Sequence, residues 1–445
     1  MREGSLDAPT RHPIPWKDPD FYDAESLDKE LRRQLDICHG CRRCFNLCDS
    51  FPRLFDLVDA AGEKEMEGVT SDELKTVVDA CTLCDMCFLT KCPYVPPHEF
   101  NLDVPHLMVR ARAVYLKQGK INFIDRKLTE TDTNGKMGTA LSGIANWATK
   151  RDNALTRPIL QAVAGIDKKA DLPKYASRSL VTQAKSELLE VDMEAPAAGR
   201  KVALYATCFS NYNNTEIGQA ARAVLAKNGV KTEVVYPECC GMPQLEHGDL
   251  QRVADKAKAV AEALESYVDD GYDIVSVVPS CTLMLKFEWP LILPEDEKVK
   301  KLSQATFDVT EYIMDIAKKE GMADGLQPLG GDVSVHIACH SRAQNMGQKA
   351  TQMLRLIPET KIKPIERCSG HGGSWGIKEP WFDVAMKVGK PVAKQALKNK
   401  NRFVVSECPL ARDHILQGIE EEGGNVRGIE SFHHPIQLLA HAYGL

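Results

Sequence analysis

Eight cysteines in two short runs constrain this 445-residue chain more than any other feature. The first run reads Cys38-His-Gly-Cys41-Arg-Arg-Cys44-Phe-Asn-Leu-Cys48. The second reads Cys81-Thr-Leu-Cys84-Asp-Met-Cys87-Phe-Leu-Thr-Lys-Cys92-Pro93. Three thiols at x2 intervals wrap the backbone around one corner of a cubane cluster, and a fourth follows a few residues later. Four thiolates also suit zinc, but zinc sites usually come as two separated C-x2-C pairs. The spacing therefore predicts two [4Fe–4S] clusters.

In two-cluster ferredoxins the fourth cysteine of each run ligates the other cluster. On that pattern Cys38, Cys41, Cys44 and Cys92 hold one cluster, and Cys81, Cys84, Cys87 and Cys48 hold the other. The second run has one extra residue before its last cysteine, and Asp49 stands where proline usually follows the first run. The surroundings read as helices. Leu27, Leu31 and Leu35 recur at i+4 ahead of Cys38, and Thr70-x-x-Glu73 is a capping-box pattern ahead of Leu74, Val77 and Val78.

Fifteen cysteines in a chain without an apolar N-terminal signal argue for metal binding rather than disulfides, because reducing compartments keep thiols free. No uncharged apolar run reaches the 18 or so residues of a membrane span. A net charge of −6 with no basic stripe gives no footprint for nucleic acid. These features predict a cytoplasmic protein, with peripheral contact at the inner face of the cell membrane as the further expectation.

From about residue 200 the pattern turns to alternating strands and helices, and it occurs twice. Strands at Val202–Ala206, Thr232–Tyr236 and Ile274–Val278 lead to Cys208, Cys239-Cys240-Gly241 and Cys281. Strands at Val333–Ala338, Lys361–Ile365 and Phe403–Val405 lead to Cys339, Cys368-Ser369-Gly370 and Cys408. The cysteine intervals are 31 and 42 residues in the first copy and 29 and 40 in the second, the mark of an internal duplication. Strand–helix alternation implies parallel sheets. Ligands of such sheets bind beyond the carboxyl ends of the strands, so each copy's cysteines should meet at one edge.

With Cys-Cys-Gly and its repeat, the chain resembles a known family. Two ferredoxin-like motifs followed by two cysteine-rich (CCG) domains resemble the iron–sulfur subunits of anaerobic glycerol-3-phosphate dehydrogenase, heterodisulfide reductase and glycolate oxidase. Supporting strings are Asp103-Val-Pro-His-Leu-Met108, Pro279-Ser-Cys-Thr-Leu-Met-Leu-Lys286 and Cys339-His-Ser-Arg-Ala-Gln-Asn-Met-Gly347. The resemblance implies a subunit that relays electrons from a flavoprotein dehydrogenase or other redox protein, with quinone as an acceptor. It also implies an alternative, reduction of a disulfide at a non-cubane cluster held by the CCG domain. That cluster uses one Cys, then Cys-Cys, then Cys-x-x-Cys. Here Met284 and Ala411 replace the last cysteine, and Ser369 replaces one of the second pair. The first copy keeps Cys208, Cys239, Cys240 and Cys281, enough for one cluster or one zinc. The second keeps Cys339, Cys368 and Cys408, where His340 or His371 could complete a metal site.

The expected fold class is α+β and multidomain. A tail (1–25) precedes a mostly helical two-cluster domain (26–110) and a helical connector (111–198). Two CCG domains follow, at 199–320 and 321–445. Within the connector, Met137–Thr149 carries no charge, and Lys150 and Arg151 follow it. The stretch reads as a helix packed across the two halves, with lying on a membrane or beside a quinone pocket as the alternative.

Overall fold

The structure, a computed structural model, describes residues 4–5 and 7–445. The helix Ala24–Cys41 starts where the Asp23 carboxylate accepts the Ser26 N–H at 2.7 Å. It buries Leu27, Leu31 and Leu35, and it ends where Arg42 turns left-handed at φ 51°. Helices Ser50–Ala60 and Ser71–Asp79 fill the spacer, and both halves of the Thr70–Glu73 capping box are formed. The helix Val104–Lys117 runs past residue 110 and packs on the helices Ala24–Cys41 and Ser71–Asp79, so residues up to 117 lie with this module. The extra residue of the second cysteine run is taken up by a π turn, Cys87–Lys91, closed by the Cys92 N–H on the Cys87 carbonyl at 2.9 Å.

Beyond residue 200 lie two parallel sheets. Strands β1 (Lys201–Tyr205), β2 (Lys231–Val235), β3 (Asp273–Ser276) and β4 (Thr306–Asp308) form the first, in the order β2-β1-β3-β4. Strands β5 (Val333–His336), β6 (Ile362–Ile365) and β7 (Phe403–Ser406) form the second, in the order β6-β5-β7. Every pairing is parallel, and β1 sits in the first sheet as β5 does in the second. Strand β4 has no counterpart among the described strands of the second copy. Its three residues, Thr-Phe-Asp, carry no apolar run that would announce a strand.

The copies are stitched to each other and to the helical module. The C-terminal helix Pro435–Ala442 crosses back onto the helix Thr215–Lys227 of the first copy. One hydrophobic core runs from Ile14 through Leu54, Leu204 and Val335 to Leu439. The N-terminal stretch is a strap. Ser5 and Thr10 donate to the carbonyls of Pro93 and Pro96, while Ile14 and the Trp16 indole donate to those of Leu291 and Ile292. Between these anchors Arg11 lies buried among Asp85, Asp103 and Glu288 at 2.8–3.2 Å, with Phe88 beneath its guanidinium.

The connector departs from expectation. The uncharged stretch is not one packed helix. It breaks at Leu141 into helices Thr131–Ala140 and Ser142–Thr149, followed by Thr156–Ala164. Met137, Leu141, Ile144 and Trp147 are each more than half exposed. No described helix is long and apolar enough to cross a membrane.

Candidate metal centres around a shared cavity

The eight thiols of the helical module fall into two interleaved groups. Cys48 lines one small cavity with Cys81, Cys84 and Cys87, closed by Leu47, Phe51 and Val104. The Cys38 thiol faces Cys92, Cys44 and Cys41. Burial pushes the thiols of Cys38, Cys48 and Cys87 well up, with neighbouring cysteines adding to the effect, and it pushes Cys84 up to about 12. All fifteen cysteines are free. A thiol ligates only after losing its proton, so these groups keep theirs until a metal centre displaces it. Eight free, enclosed thiols in two sets of four fit iron–sulfur clusters. The backbone is shaped to this end: Leu83 and Asp85, on either side of Cys84, both have positive φ, at 48° and 62°.

In the duplicated half, the cysteines sit just beyond the carboxyl ends of the strands. Cys208 and Cys339 open short helices after β1 and β5, and Cys408 caps the helix Pro409–Glu421 after β7. Thr207 reaches its cysteine through a left-handed φ of 59°, steadied by the Ser210 N–H on its side chain. The first copy's sulfurs stand as two pairs, Cys208–Cys239 at 3.9 Å and Cys240–Cys281 at 3.3 Å. Hydrogen bonds from Cys208 and Cys240 pull Cys239 well below the usual thiol range, while Cys208 and Cys240 are pushed up.

Asp132, in the helix Thr131–Ala140, braces this site. Its carboxylate accepts the Cys239 N–H at 3.2 Å and the Tyr236 hydroxyl at 2.6 Å, and it pairs with Lys256 at 2.8 Å. Sequence reasoning missed Asp132, because a single Asp in Thr-Glu-Thr-Asp-Thr carries no ligand or catalytic spacing. In the second copy, burial pushes Cys339 well up, and Cys84, Cys368 and Cys408 add to it. Cys84 also feels Cys368, so the second ferredoxin-type run faces the second copy directly.

The histidines divide clearly. His340 has both ring nitrogens engaged, one with Ser280 Oγ at 2.8 Å and the other with the Leu83 carbonyl at 3.2 Å, so its ring does not complete the second copy's set. His371 and His414 stand 6.1 Å apart between ring centroids, each with a buried Nε2 that has no hydrogen-bond partner among the described residues. Burial holds both rings neutral, at about 3 and about 4. The charges that act on the His371 ring are those of His414 and Asp413, and the ring lines the shared cavity with Cys339, Cys368 and Cys408. His247 Nδ1 lies 2.9 Å from the Pro243 carbonyl. His434 caps the C-terminal helix.

The two copies and the helical module enclose one cavity of about 1410 Å³. Its wall includes Cys84, all four first-copy cysteines and all three of the second copy. Its outer wall is apolar, formed by Met137, Leu141 and Ile144 of the connector. A paired-cluster thiol module opening beside a duplicated cysteine edge defines an iron–sulfur electron-transfer protein.

Comparison with known proteins agrees. Residues 31–117 match the Citrate utilization protein B Fer4-like domain family, and residues 202–286 and 333–410 match the Cysteine-rich domain family. A subunit of the anaerobic glycerol-3-phosphate dehydrogenase of Escherichia coli K12 is 26% identical over 77% of this chain and 82% of its own length. Lactate utilization protein A of Bacillus subtilis is 30% identical over 40% of this chain and 75% of its own. A subunit of the fumarate reductase (CoM/CoB) of Methanothermobacter marburgensis is 28% identical over 52% of this chain and 44% of its own. The chain belongs to the family of cysteine-rich (CCG) domain iron–sulfur oxidoreductases. It is an electron-transfer protein that works with a redox partner.

Proposed function

We propose that the chain relays electrons from a partner flavoprotein dehydrogenase to a quinone that binds in the shared cavity. The observation that carries this reading is the wall of that cavity, where Cys84 opens beside both cysteine-rich copies behind an apolar face. Cys38, Cys41, Cys44 and Cys92 hold one [4Fe–4S] cluster, and Cys81, Cys84, Cys87 and Cys48 hold the other. Bound clusters supply one-electron carriers. The first copy's four thiols hold a further metal centre, an iron–sulfur cluster or zinc, with Asp132 and Lys256 fixing the Cys239 loop. The second copy's three thiols line the receiving side.

The connector helices supply the approach for an apolar acceptor. Met137, Leu141, Ile144 and Trp147 are exposed, and Lys150 and Arg151 follow on the same segment. That arrangement suits peripheral contact with an anionic membrane surface, from which a quinone reaches the cavity.

The test is anaerobic. Protein purified without oxygen is expected to carry about eight irons from the helical module, since two clusters of this type hold four each. After photoreduction, mixing with menadione should restore the oxidised visible spectrum within the mixing experiment, and Cys84→Ser should slow it. A reduced, iron-loaded protein that menadione leaves reduced would remove quinone as the acceptor.

The close Cys240–Cys281 pair at 3.3 Å supports a second reading, reduction of a disulfide at the first copy. Steady consumption of a small disulfide by the reduced protein, lost in Cys240→Ser, would establish it.

A further inference from the structure

Glu246 stands where three parts of the chain meet. It ends the short helix Met242–Glu246 of the first copy and lines the shared cavity. Across from it lies the glycine turn of the second copy. A Cβ on Gly373 would come within 2.7 Å of Glu246 Oε1 and 2.9 Å of Oε2. A Cβ on Gly372 would come within 2.7 Å of the Thr82 methyl, in the loop between Cys81 and Cys84. The turn is thus stripped of side chains where it passes the carboxyl and the cysteine loop. Arg112, from the helix Val104–Lys117, donates to the Glu246 backbone carbonyl at 2.8 Å and reaches the Val78 and Cys81 carbonyls. Its guanidinium is spent on main-chain oxygens. Among the described residues no hydrogen-bond donor meets the Glu246 carboxyl oxygens.

We propose that Glu246 is the proton-transfer group of this cavity, handing protons to an occupant that takes up electrons and protons together. The inference rests on the quinone reading above. Reducing a quinone to a quinol needs two electrons and two protons. The electrons arrive through the chain's metal centres from the partner dehydrogenase. Each proton leaves the Glu246 carboxyl for the oxygen on which negative charge is developing; the O–H bond at the carboxyl breaks and one at the quinone oxygen forms. Water at the cavity opening then reprotonates the carboxylate.

The surroundings suit a group that alternates between two protonation states. Burial raises the Glu246 carboxyl to about 7, opposed by the charge of Arg112. On the same loop, burial lowers His247, whose ring also feels Arg112, Asp125 and Lys378; Asp125 and Lys378 pair with each other. His371, on the facing turn, is held neutral by burial. A donor poised near the working pH is the most effective general acid.

The experiment follows reoxidation of the photoreduced full-length protein by menadione in a stopped-flow instrument between pH 5.5 and 8.5. The wild-type rate is expected to fall as pH rises through about 7, because the protonated carboxyl is the donor. Glu246→Gln should slow reoxidation at pH 6 by about a hundredfold and flatten the pH profile. Glu246→Asp should keep the slope, since a carboxyl is retained. Gly373→Ala, which crowds the carboxyl from the opposite wall, gives an independent variant should Glu246→Gln fail to load iron. Wild-type protein that menadione never reoxidises would overturn the quinone reading and the inference with it. Wild-type protein that reacts, with Glu246→Gln keeping the same rate and slope, would overturn the inference alone.

Discussion

His340 hydrogen-bonds to Ser280 at 2.8 Å, and the other nitrogen of the same ring lies 3.2 Å from the Leu83 carbonyl. Each of these three residues adjoins a cysteine: Cys339, Cys281 and Cys84. One imidazole therefore ties together a loop from each part of the protein. Burial lowers the ring's proton affinity, so it is neutral and spans one donor and one acceptor.

Replacing His340 with alanine leaves the Leu83 carbonyl and the Ser280 hydroxyl without their partner in a buried junction. Each orphaned group costs about 1–3 kcal/mol. His340→Ala is expected to lower unfolding free energy by about 2–4 kcal/mol in denaturant titrations. An unchanged midpoint would mean that the junction is held elsewhere.

Arg11 offers a sharper test. It is the cation set against Asp85, Asp103 and Glu288, with His106 also bonded to Glu288 at 3.0 Å. Removing one partner of a buried pair costs about 3–5 kcal/mol, because the remaining charge is stranded. Arg11→Ala should destabilise by at least that amount. Arg11→Lys should recover only part, since an ammonium cannot match the guanidinium's paired contacts with Asp85 and Asp103.

Asp308 gives a pH dependence of stability. It caps the helix Val309–Lys319, yet burial raises its carboxyl from the ordinary 3.8 to about 6. A carboxyl raised by folding contributes fully below its unfolded pKa and loses that contribution as pH climbs through the folded one. The wild type should therefore weaken between about pH 4 and 7. Asn caps nearly as well as Asp. Asp308→Asn should match the wild type near pH 4 and exceed it by about 2–3 kcal/mol at pH 8. Thermal melts across that range decide it.

The connector surface makes a prediction without a folding cost. Ile144 and Trp147 are 66% and 56% exposed, so Ile144→Glu and Trp147→Glu should leave melting temperature unchanged. Both should abolish sedimentation with anionic phospholipid vesicles. Binding that persists in both variants would place the membrane contact elsewhere.

Much of this architecture was legible in the chain. The strands at Val202, Ile274 and Phe403 were visible because buried parallel strands are short β-branched and apolar runs. The cysteine after each one marked the strand edge. The capping box at Thr70 and the leucine spacing at Leu27, Leu31 and Leu35 located helices through local chemistry alone. Other features depend on contacts made far along the chain. Asp132 braces Cys239 from a different segment, and nothing near it in sequence says so. Strand β4 exists because β3 offers it an edge. Arg11 sits in a proline-rich stretch that reads as a tail, and its three acidic partners lie 74 to 277 residues away. The uncharged stretch from Met137 was visible as apolar, but Met137, Leu141 and Ile144 line the cavity while staying more than half exposed rather than packing into a core.

The strap has a consequence for how the protein is made. Arg11 is synthesised well before Glu288 and the Leu291 and Ile292 carbonyls that hold its segment. The latch cannot close until both the helical module and the first cysteine-rich copy exist. Until then Asp85, in the Cys84–Cys87 loop, lacks its Arg11 partner. That ordering makes docking of the strap a late step in folding, after both of the parts that hold it.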